Sequence, residues 1–316
     1  MRQLCCLLLL LCVHQVQAEP GRILVITSSD ADLYTRFSDS FELQYKSLAG
    51  KSGAHINSIR LNENGQLSGP VPADTTIIVS VGAKTAHAVK ALILTTPVLY
   101  ALIPESTYQS LTPVTTSCAR QSAIFIDQPV ARQAQLAQAI FPQAKTYGVL
   151  LGPTSGRHRD ALEALAAKSD WRLIIKEVTA DAEPEWRTRE LVDETDLIIA
   201  ISDPHALNRN NAKWLLYSAY QRHNPVIGFS RAYAKAGAAA SVFSTPEQIG
   251  EQAAEFISRY EKSDRNCMTA PEYPVDFKVI VNSDITHSLG GREKDESVLL
   301  KSLMGNEQVK PCLRIG

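Results

Sequence analysis

Residues 196–254 decide the fold of this chain; they read DLIIAISDPHALNRNNAKWLLYSAYQRHNPVIGFSRAYAKAGAAASVFSTPEQIGEQAA. Two apolar runs, at residues 197–202 and 225–229, have the length and composition of buried strands. The segment between them predicts a helix whose apolar face contains Trp214, Leu215, Tyr217 and Tyr220. Strands that are apolar along their whole length are typical of a parallel sheet covered on both faces.

Both predicted strands end abruptly in polar residues. The first is followed by Asp203 and Pro204, and the second by Ser230 and Arg231. Ligands of open α/β sheets bind beyond the carboxyl ends of the strands, so these ends predict a binding site. The stretch closes with a capped helix start, in which Ser244 or Thr245 precedes a proline and a glutamate.

The rest of the chain repeats the alternation of strand and helix. A first series of strands is predicted from residue 22 to residue 126, and a second series begins at residue 146. This order predicts an α/β fold with parallel sheets flanked by helices. Because the pattern starts twice, we expect two lobes with a cleft between them, a common place for a ligand site.

Composition excludes some classes of protein. The chain has 316 residues, of which 45% are hydrophobic, and a formal net charge of -1. That apolar content is enough for the cores of one or two lobes. The near-neutral charge argues against a nucleic-acid-binding protein, which needs a basic face.

The first eighteen residues have the features of an export signal. Arg2 supplies the positive region, residues 4–13 the apolar region, and residues 16–18 a small-residue cleavage site. The apolar run is too short to span a bilayer. Lipidation at Cys12 is not expected, because a lipidation site has a small residue directly before the cysteine and the bulky Leu11 stands there. We therefore expect cleavage after Ala18 and a soluble protein in the periplasm.

Three cysteines remain after the predicted cleavage: Cys118, Cys267 and Cys312. This is an odd number for an oxidising compartment. A bridge between Cys267 and Cys312 would fix the tail, but three free or partly buried thiols are an equal alternative. The pattern does not establish the connectivity.

The sequence resembles the ABC transporter substrate-binding proteins of the periplasmic type I fold, with tryptophan- and tyrosine-type relatives. The resemblance spans roughly residues 22–290 and rests on the order and spacing of several segments. These are Asp203-Pro204, Asn208, NPVIGFS at 224–230, AYAKAGA at 232–238, STPEQIGEQAA at 244–254 and YPVDFKVIVN at 273–282, the last similar to sugar-binding relatives.

The resemblance implies a two-lobed organisation in which the chain passes between the lobes three times, near Asp127, Ser244 and Met268. The expected division is a signal peptide at 1–18, a first lobe at 19–127 plus 244–267, and a second lobe at 128–243 plus 268–290. Residues 291–316 are expected to form a C-terminal tail, to which no structure is assigned.

The candidate ligand-binding residues follow predicted strands or lie in the helix starts after them. They are Ser28, Ser29, Asp30, Gly82, Lys84, Thr85, Tyr100, Asp127, Thr154, Ser155, Asp203, Asn208, Phe229, Ser230 and Tyr233. Hydroxyls and N–H groups at helix starts can hold a carboxylate, but plain N-capping explains the same residues. Asp203 can pair with a ligand ammonium or cap a helix. The aromatic residues can clamp a flat ligand, whereas Tyr217 and Tyr220 are predicted to be core.

Enzyme signatures are missing from the sequence. Residues 228–232 lack the second glycine of a nucleophile elbow. The histidines and cysteines do not have the spacing of a metal site. We therefore expect no enzyme activity, no metal and no cofactor.

The resemblance implies a monomeric solute-binding protein that delivers a small organic solute, possibly an amino acid, to an inner-membrane ABC permease by hinge closure. The alternative is a periplasmic sensor that presents ligand occupancy to a membrane signalling protein. Nothing in this chain separates the two.

Overall fold

Two separate β-sheets organise the chain. The computed structural model describes residues 21–50, 53–92, 95–112, 119–179, 181, 184–263, 267–292 and 294–308. The first sheet has five parallel strands in the order β2-β1-β3-β4-β5. Its strands are β1 (Arg22–Thr27), β2 (His55–Arg60), β3 (Thr75–Val81), β4 (Val98–Ile103) and β5 (Gln121–Phe125).

The second sheet has six strands in the order β11-β10-β9-β8-β6-β7. They are β6 (Thr146–Leu151), β7 (Arg172–Glu177), β8 (Leu197–Ile199), β9 (Val226–Gly228), β10 (Ala240–Phe243) and β11 (Lys278–Val281). All neighbours are parallel except β10 and β11, which pair antiparallel.

Helices cover both sheets. The first lobe consists of the first sheet with α1 (Asp32–Ala49), α2 (Ala83–Lys90), α3 (Glu105–Leu111) and α9 (Pro246–Lys262). The second lobe consists of the second sheet with α4 (Val130–Ile140), α5 (Arg159–Ala166), α6 (Pro184–Glu194), α7 (Arg209–Gln221), α8 (Arg231–Ala236), α10 (Ser283–Ser288) and α11 (Glu296–Gln308). Each lobe has apolar clusters of its own. The predicted α/β fold is confirmed.

Burial explains the composition of the strands. Central strands such as β3 and β4 are buried along nearly their whole length because helices cover both faces. Edge strand β2, HINSIR, is mostly exposed and correspondingly polar. Thus the apolar runs mark the middle of each sheet.

Helix α9 returns to the first lobe, where it packs along α1. Its start is a capping box, in which Thr245 Oγ1 accepts from the Gln248 N–H and Gln248 Oε1 accepts from the Thr245 N–H. The two helices approach closely at Gly250, where a Cβ would lie 2.5 Å from the carbonyl oxygen of Phe37. Only glycine fits there without a shift of α1.

The chain passes between the sheets after β5, after β10 and after α9. Met268 still pairs with Ala119 and is buried in the first lobe, and Glu272 still pairs with Ile124. The third passage therefore lies between Glu272 and the start of β11, later than the expected position near Met268. Cys267 is disulfide-bonded, whereas Cys118 and Cys312 lie outside the described residues.

Two expectations about helices differ from the structure. Helix α11 is part of the second lobe, where Leu299 and Leu303 are buried in the apolar cluster. Helix α7 buries Asn211, Leu215, Leu216 and Ala219. Tyr217 and Tyr220 are 65% and 41% exposed, so the prediction that they are core is wrong. Among the described helices, none combines the length and apolarity needed to cross a membrane.

Candidate functional site

Four side chains from separate segments meet between the lobes, and we call them the interlobe cluster: Glu105, Asp127, Arg157 and Tyr273. Arg157 Nε lies 3.3 Å from Glu105 Oε2. The Tyr273 hydroxyl donates to the same oxygen at 2.6 Å. The Glu105 N–H donates to Asp127 Oδ2 at 2.6 Å. The cluster connects the carboxyl ends of β4 and β5 with the loop after β6.

An irregularity in β4 determines where Glu105 lies. The register with β5 shifts between Ala101 and Ile103, and Leu102 has a φ of 53°. Bulky residues rarely adopt this left-handed conformation, and a bulge redirects the chain that follows it. Burial of Leu102, which is 7% exposed, holds the conformation. Helix α3 begins directly afterwards, so the Glu105 N–H has no partner within the helix and Asp127 accepts it.

Asp203 orders the loops at the edge of the second sheet. Its Oδ2 accepts from the N–H and the hydroxyl of both Thr154 and Ser155, at 2.8–3.0 Å. Its Oδ1 accepts from the N–H groups of His205 and Ala206, both at 2.9 Å. These hydrogen bonds occupy both oxygens of a side chain that is 2% exposed. The geometry favours the local capping role for Asp203 over an ion pair with a ligand.

The loop that Asp203 orders also fixes Arg157. Gly152 leaves room for the carboxylate, since a Cβ there would lie 2.5 Å from Asp203 Oδ1. Further along the same loop, the Arg157 guanidinium donates to the Thr154 carbonyl oxygen. The cation of the interlobe cluster is therefore held by its own lobe as well as by Glu105.

Burial shifts the titration of groups in and beside the cluster. It raises the pKa of Asp127 above its ordinary value, and the Glu105 N–H and the Arg157 charge only partly offset this. Burial, assisted by the Arg157 charge, lowers the pKa of His158 to about 4, so this histidine is neutral at pH 7. Burial and the hydrogen bond to Glu105 raise the pKa of Tyr273 well above its usual range. Tyr273 is thus a hydrogen-bond donor at any physiological pH.

The three passages between the lobes are hydrogen-bonded to one another. Gln128 Nε2 donates to Ser244 Oγ at 2.9 Å, and this hydroxyl donates to the Asp276 carbonyl oxygen at 2.6 Å. Arg132 Nη1 donates to Gln128 Oε1 at 2.8 Å and to the Pro274 carbonyl oxygen at 2.7 Å. One connected polar network therefore links all three passages between the lobes.

The predicted residues after β1 lie at the surface. Ser28 is half-buried, and Ser29 and Asp30 are exposed. Asp30 forms an ion pair with Arg60 of β2. Lys84, in the first turn of α2, is also exposed. These four candidates are accessible to a solute, but none contacts the interlobe cluster in the described interactions.

Two other first-lobe candidates point inward. Thr85 is 0% exposed, and its hydroxyl donates to the carbonyl oxygens of Val81 and Gly82, at 2.8 and 2.7 Å. Tyr100 is also 0% exposed and packs edge-on against Tyr108 inside the lobe. The expectation that Tyr100 clamps a ligand is therefore corrected, because strand β4 directs this ring into the core.

The second-lobe candidates are mostly helix caps. Asn208 Oδ1 accepts from the N–H groups of the first turn of α7, and Ser230 Oγ accepts from the Tyr233 N–H at 3.2 Å. The rings of Phe229 and Tyr233 lie 4.6 Å apart. Tyr233 is 9% exposed, whereas Phe229 is half-buried and the more accessible of the two.

Sequence reasoning identified Asp127 but missed the other members of the cluster. Glu105 closely follows strand β4 of the predicted first series, and Arg157 lies two residues after the candidate Ser155. The available signal was a pair of opposite charges at the carboxyl ends of strands from different lobes. Tyr273 lies in the segment at 273–282 that carries part of the family resemblance, but no binding role was predicted for it. Among the described residues, no group of three or more His, Cys, Asp or Glu side chains is placed to hold a metal ion.

Comparisons with known proteins agree with this architecture. The protein-family model for ABC transporter substrate-binding proteins matches residues 54–302. No curated protein sequence matches the chain. The structure of a ligand-free, open substrate-binding protein with adhesive properties from Clostridium difficile is similar, with 17% identity and a TM-score of 0.64. That match covers 87% of this chain and 96% of the other.

Two further solved structures share the fold. An ABC domain from Streptococcus pneumonia in complex with L-Trp is 15% identical with a TM-score of 0.60, covering 89% of this chain and 98% of that one. A conserved domain protein from Vibrio cholerae is 17% identical with a TM-score of 0.57, covering 89% and 98%. The family match extends over more than half of the sequence, and the paired α/β sheets fit it. This chain belongs to the ABC transporter substrate-binding protein family.

Proposed function

We propose that this chain is an exported solute-binding protein that closes its lobes over a small organic solute and presents it to an inner-membrane ABC permease. The observation that carries the proposal is the interlobe cluster, where charged and polar groups of both lobes meet beyond the strand ends. Open α/β sheets bind ligands at such ends. Hinge closure about a few connecting residues is an established way for two lobes to enclose a ligand.

An amino acid is the solute that we propose first. A zwitterion matches the cluster, because its carboxylate can replace Glu105 as the partner of Arg157. Its ammonium group can replace the guanidinium beside Glu105 and Asp127. The L-Trp complex of a protein with the same fold supports testing aromatic amino acids early. In this proposal Ser28, Ser29, Lys84 and Phe229 line the remainder of the cleft.

A thermal-shift screen of the mature protein tests the proposal. The panel contains amino acids and neutral sugars. For each amino acid it also contains two analogues, an amine that lacks the carboxylate and a carboxylic acid that lacks the ammonium group. A true solute at about 100 times its dissociation constant stabilises the folded state by roughly 2.7 kcal/mol. We expect an amino acid to stabilise more than its singly charged analogues. Stabilisation by sugars alone would contradict the proposed ligand class, and no stabilisation by any compound would contradict solute binding.

Binding is, in this proposal, the whole activity, with no bond made or broken in the solute. The best ligand from the screen is incubated with the protein, released by denaturation and analysed by mass spectrometry. We expect to recover it unchanged and in stoichiometric amount. Conversion of the ligand to a new compound would show instead that the cleft is catalytic.

A further inference from the structure

We propose that Glu105 and Arg157 form a charged latch that holds the two lobes together before any solute enters. Glu105 begins α3 in the first lobe, and Arg157 follows β6 in the second, yet their side chains lie 3.3 Å apart. Every other ion pair between described residues lies within a single lobe. The latch depends on the proposed function only in assuming that the lobes move.

The two latch residues are less exposed than most paired charges of this protein. The side chains of Arg157 and Glu105 are 19% and 13% exposed, compared with 67% and 47% for the surface pair of Lys46 and Glu42. Exposed ion pairs contribute little because water and salt screen them. Partly buried pairs are screened less, so the interaction between the lobes is stronger than that of a surface pair.

Both partners are also fixed within the protein before they meet. The Thr154 carbonyl oxygen accepts from the Arg157 guanidinium, and the Tyr273 hydroxyl donates to Glu105 Oε2 at 2.6 Å. Holding long side chains in place beforehand reduces the entropy lost when the pair forms. Tyr273 belongs to the third passage, so the latch is built beside the segments about which the lobes pivot.

The latch has a consequence for solute entry. Opening the cleft must separate Glu105 from Arg157, and a bound solute must satisfy the charges that it separates. A solute that offers both an anionic and a cationic group can do so, whereas a neutral solute leaves a charge unpaired in a partly buried site. The ion pair therefore disfavours an open cleft with a solute whose own charges do not replace those of Glu105 and Arg157.

Charge reversal with small-angle X-ray scattering tests the latch without a solute. The variants are Glu105→Arg, Arg157→Glu and the double exchange of both. Each single variant places like charges together, so we expect a larger radius of gyration than in the wild type. The double variant restores opposite charges and is expected to restore the wild-type radius. Loss of the interaction between two contacting residues shifts an equilibrium by about 2- to 150-fold. Here that equilibrium is the one between joined and separated lobes.

If charge reversal prevents folding, the milder variants Glu105→Gln and Arg157→Gln take its place. Both retain most of the side-chain volume. The matched control is Arg159→Gln, because Arg159 pairs with Glu163 and Glu177 within the second lobe. Circular dichroism confirms that each variant is folded. Folded single variants with the wild-type radius would overturn the latch, as would a double variant that stays expanded. These outcomes are independent of the solute screen, so failure of the latch and failure of solute binding are distinguished.

Discussion

At the scale of single residues, the Asp203 carboxylate accepts hydrogen bonds from two loops that are about fifty residues apart in sequence. The nearest donors are Ser155 N on one side and His205 N on the other, at 2.8 and 2.9 Å. Burial opposes ionisation of this carboxyl, but the hydrogen bonds outweigh it and lower its pKa to about 2. The ionised form is therefore part of the folded structure.

We predict that Asp203→Asn lowers the free energy of unfolding by about 3 kcal/mol at pH 7, because its amide cannot accept on both sides and leaves buried N–H groups unpaired. The difference from the wild type should be complete above pH 4 and vanish as the pH falls through about 2, where the wild-type carboxyl protonates. Urea unfolding at several pH values measures it, with the exposed Asp160→Asn as control.

The same variant separates the two roles considered for Asp203. Because six donors occupy its oxygens, we expect calorimetric titration of the folded variant to show a much smaller loss of solute affinity than Arg157→Gln shows. Lost affinity with unchanged stability would instead assign Asp203 to the ligand.

The residues that sequence reasoning found and missed differ in a physical way. Asp203 was identifiable because a polar residue directly after an apolar strand is a local pattern. The pairing of Glu105 with Arg157 depends on how the two lobes face each other, which local periodicity does not encode. Tyr100 failed because helices cover both faces of β4, so every side chain of this strand is buried.

At the scale of elements, strands were predicted better than helix faces. Long apolar runs are unambiguous, so the central strands of both sheets were found. In α7 the aromatic residues suggested the buried side, but Leu215, Leu216 and Ala219 occupy it and Tyr217 lies outside. Tyrosine is compatible with either environment because its ring is apolar and its hydroxyl polar. No structure was assigned to the region of α11, because its charged neighbours masked two buried leucines.

We predict that α11 is required for the stability of the second lobe. Leu303 is 2% exposed within its apolar cluster, and truncation of a buried leucine costs about 2–5 kcal/mol. Leu303→Ala should therefore lower the melting temperature by several degrees, whereas Val298→Ala, at a position 56% exposed, should not. Equal melting temperatures for the two variants would show that α11 is dispensable.

At the scale of the whole molecule, two lobes joined by three hydrogen-bonded passages predict hinge motion. Addition of the solute identified by thermal shift should hold the wild type in its closed form, with a radius of gyration no larger than that of the solute-free protein. Small-angle scattering of the wild type with and without solute measures this. A larger radius with the solute bound would count against closure.

Export is the second prediction at this scale, and it concerns residues outside those described. Expression of the sequence from Met1 should yield a periplasmic protein whose first residue is Glu19, as measured by intact-mass spectrometry. Replacement of Ala18 by a bulky residue should block cleavage, because the site requires small side chains. A lipid-modified Cys12 at the N-terminus would show membrane anchoring instead.

The return of α9 to the first lobe has a consequence for the order in which the protein folds. The hydrogen bond between Arg36 and Glu247 joins residues 211 positions apart, and Phe256 and Ile257 complete the core around Phe37 and Phe41. During synthesis, which begins at the N-terminus, all five strands of the first sheet are therefore made well before α9, the helix that covers them. Contacts between such distant segments form slowly. This connectivity leaves the first lobe incompletely folded until most of the chain has been synthesised, and an incompletely folded chain suits the export that we propose.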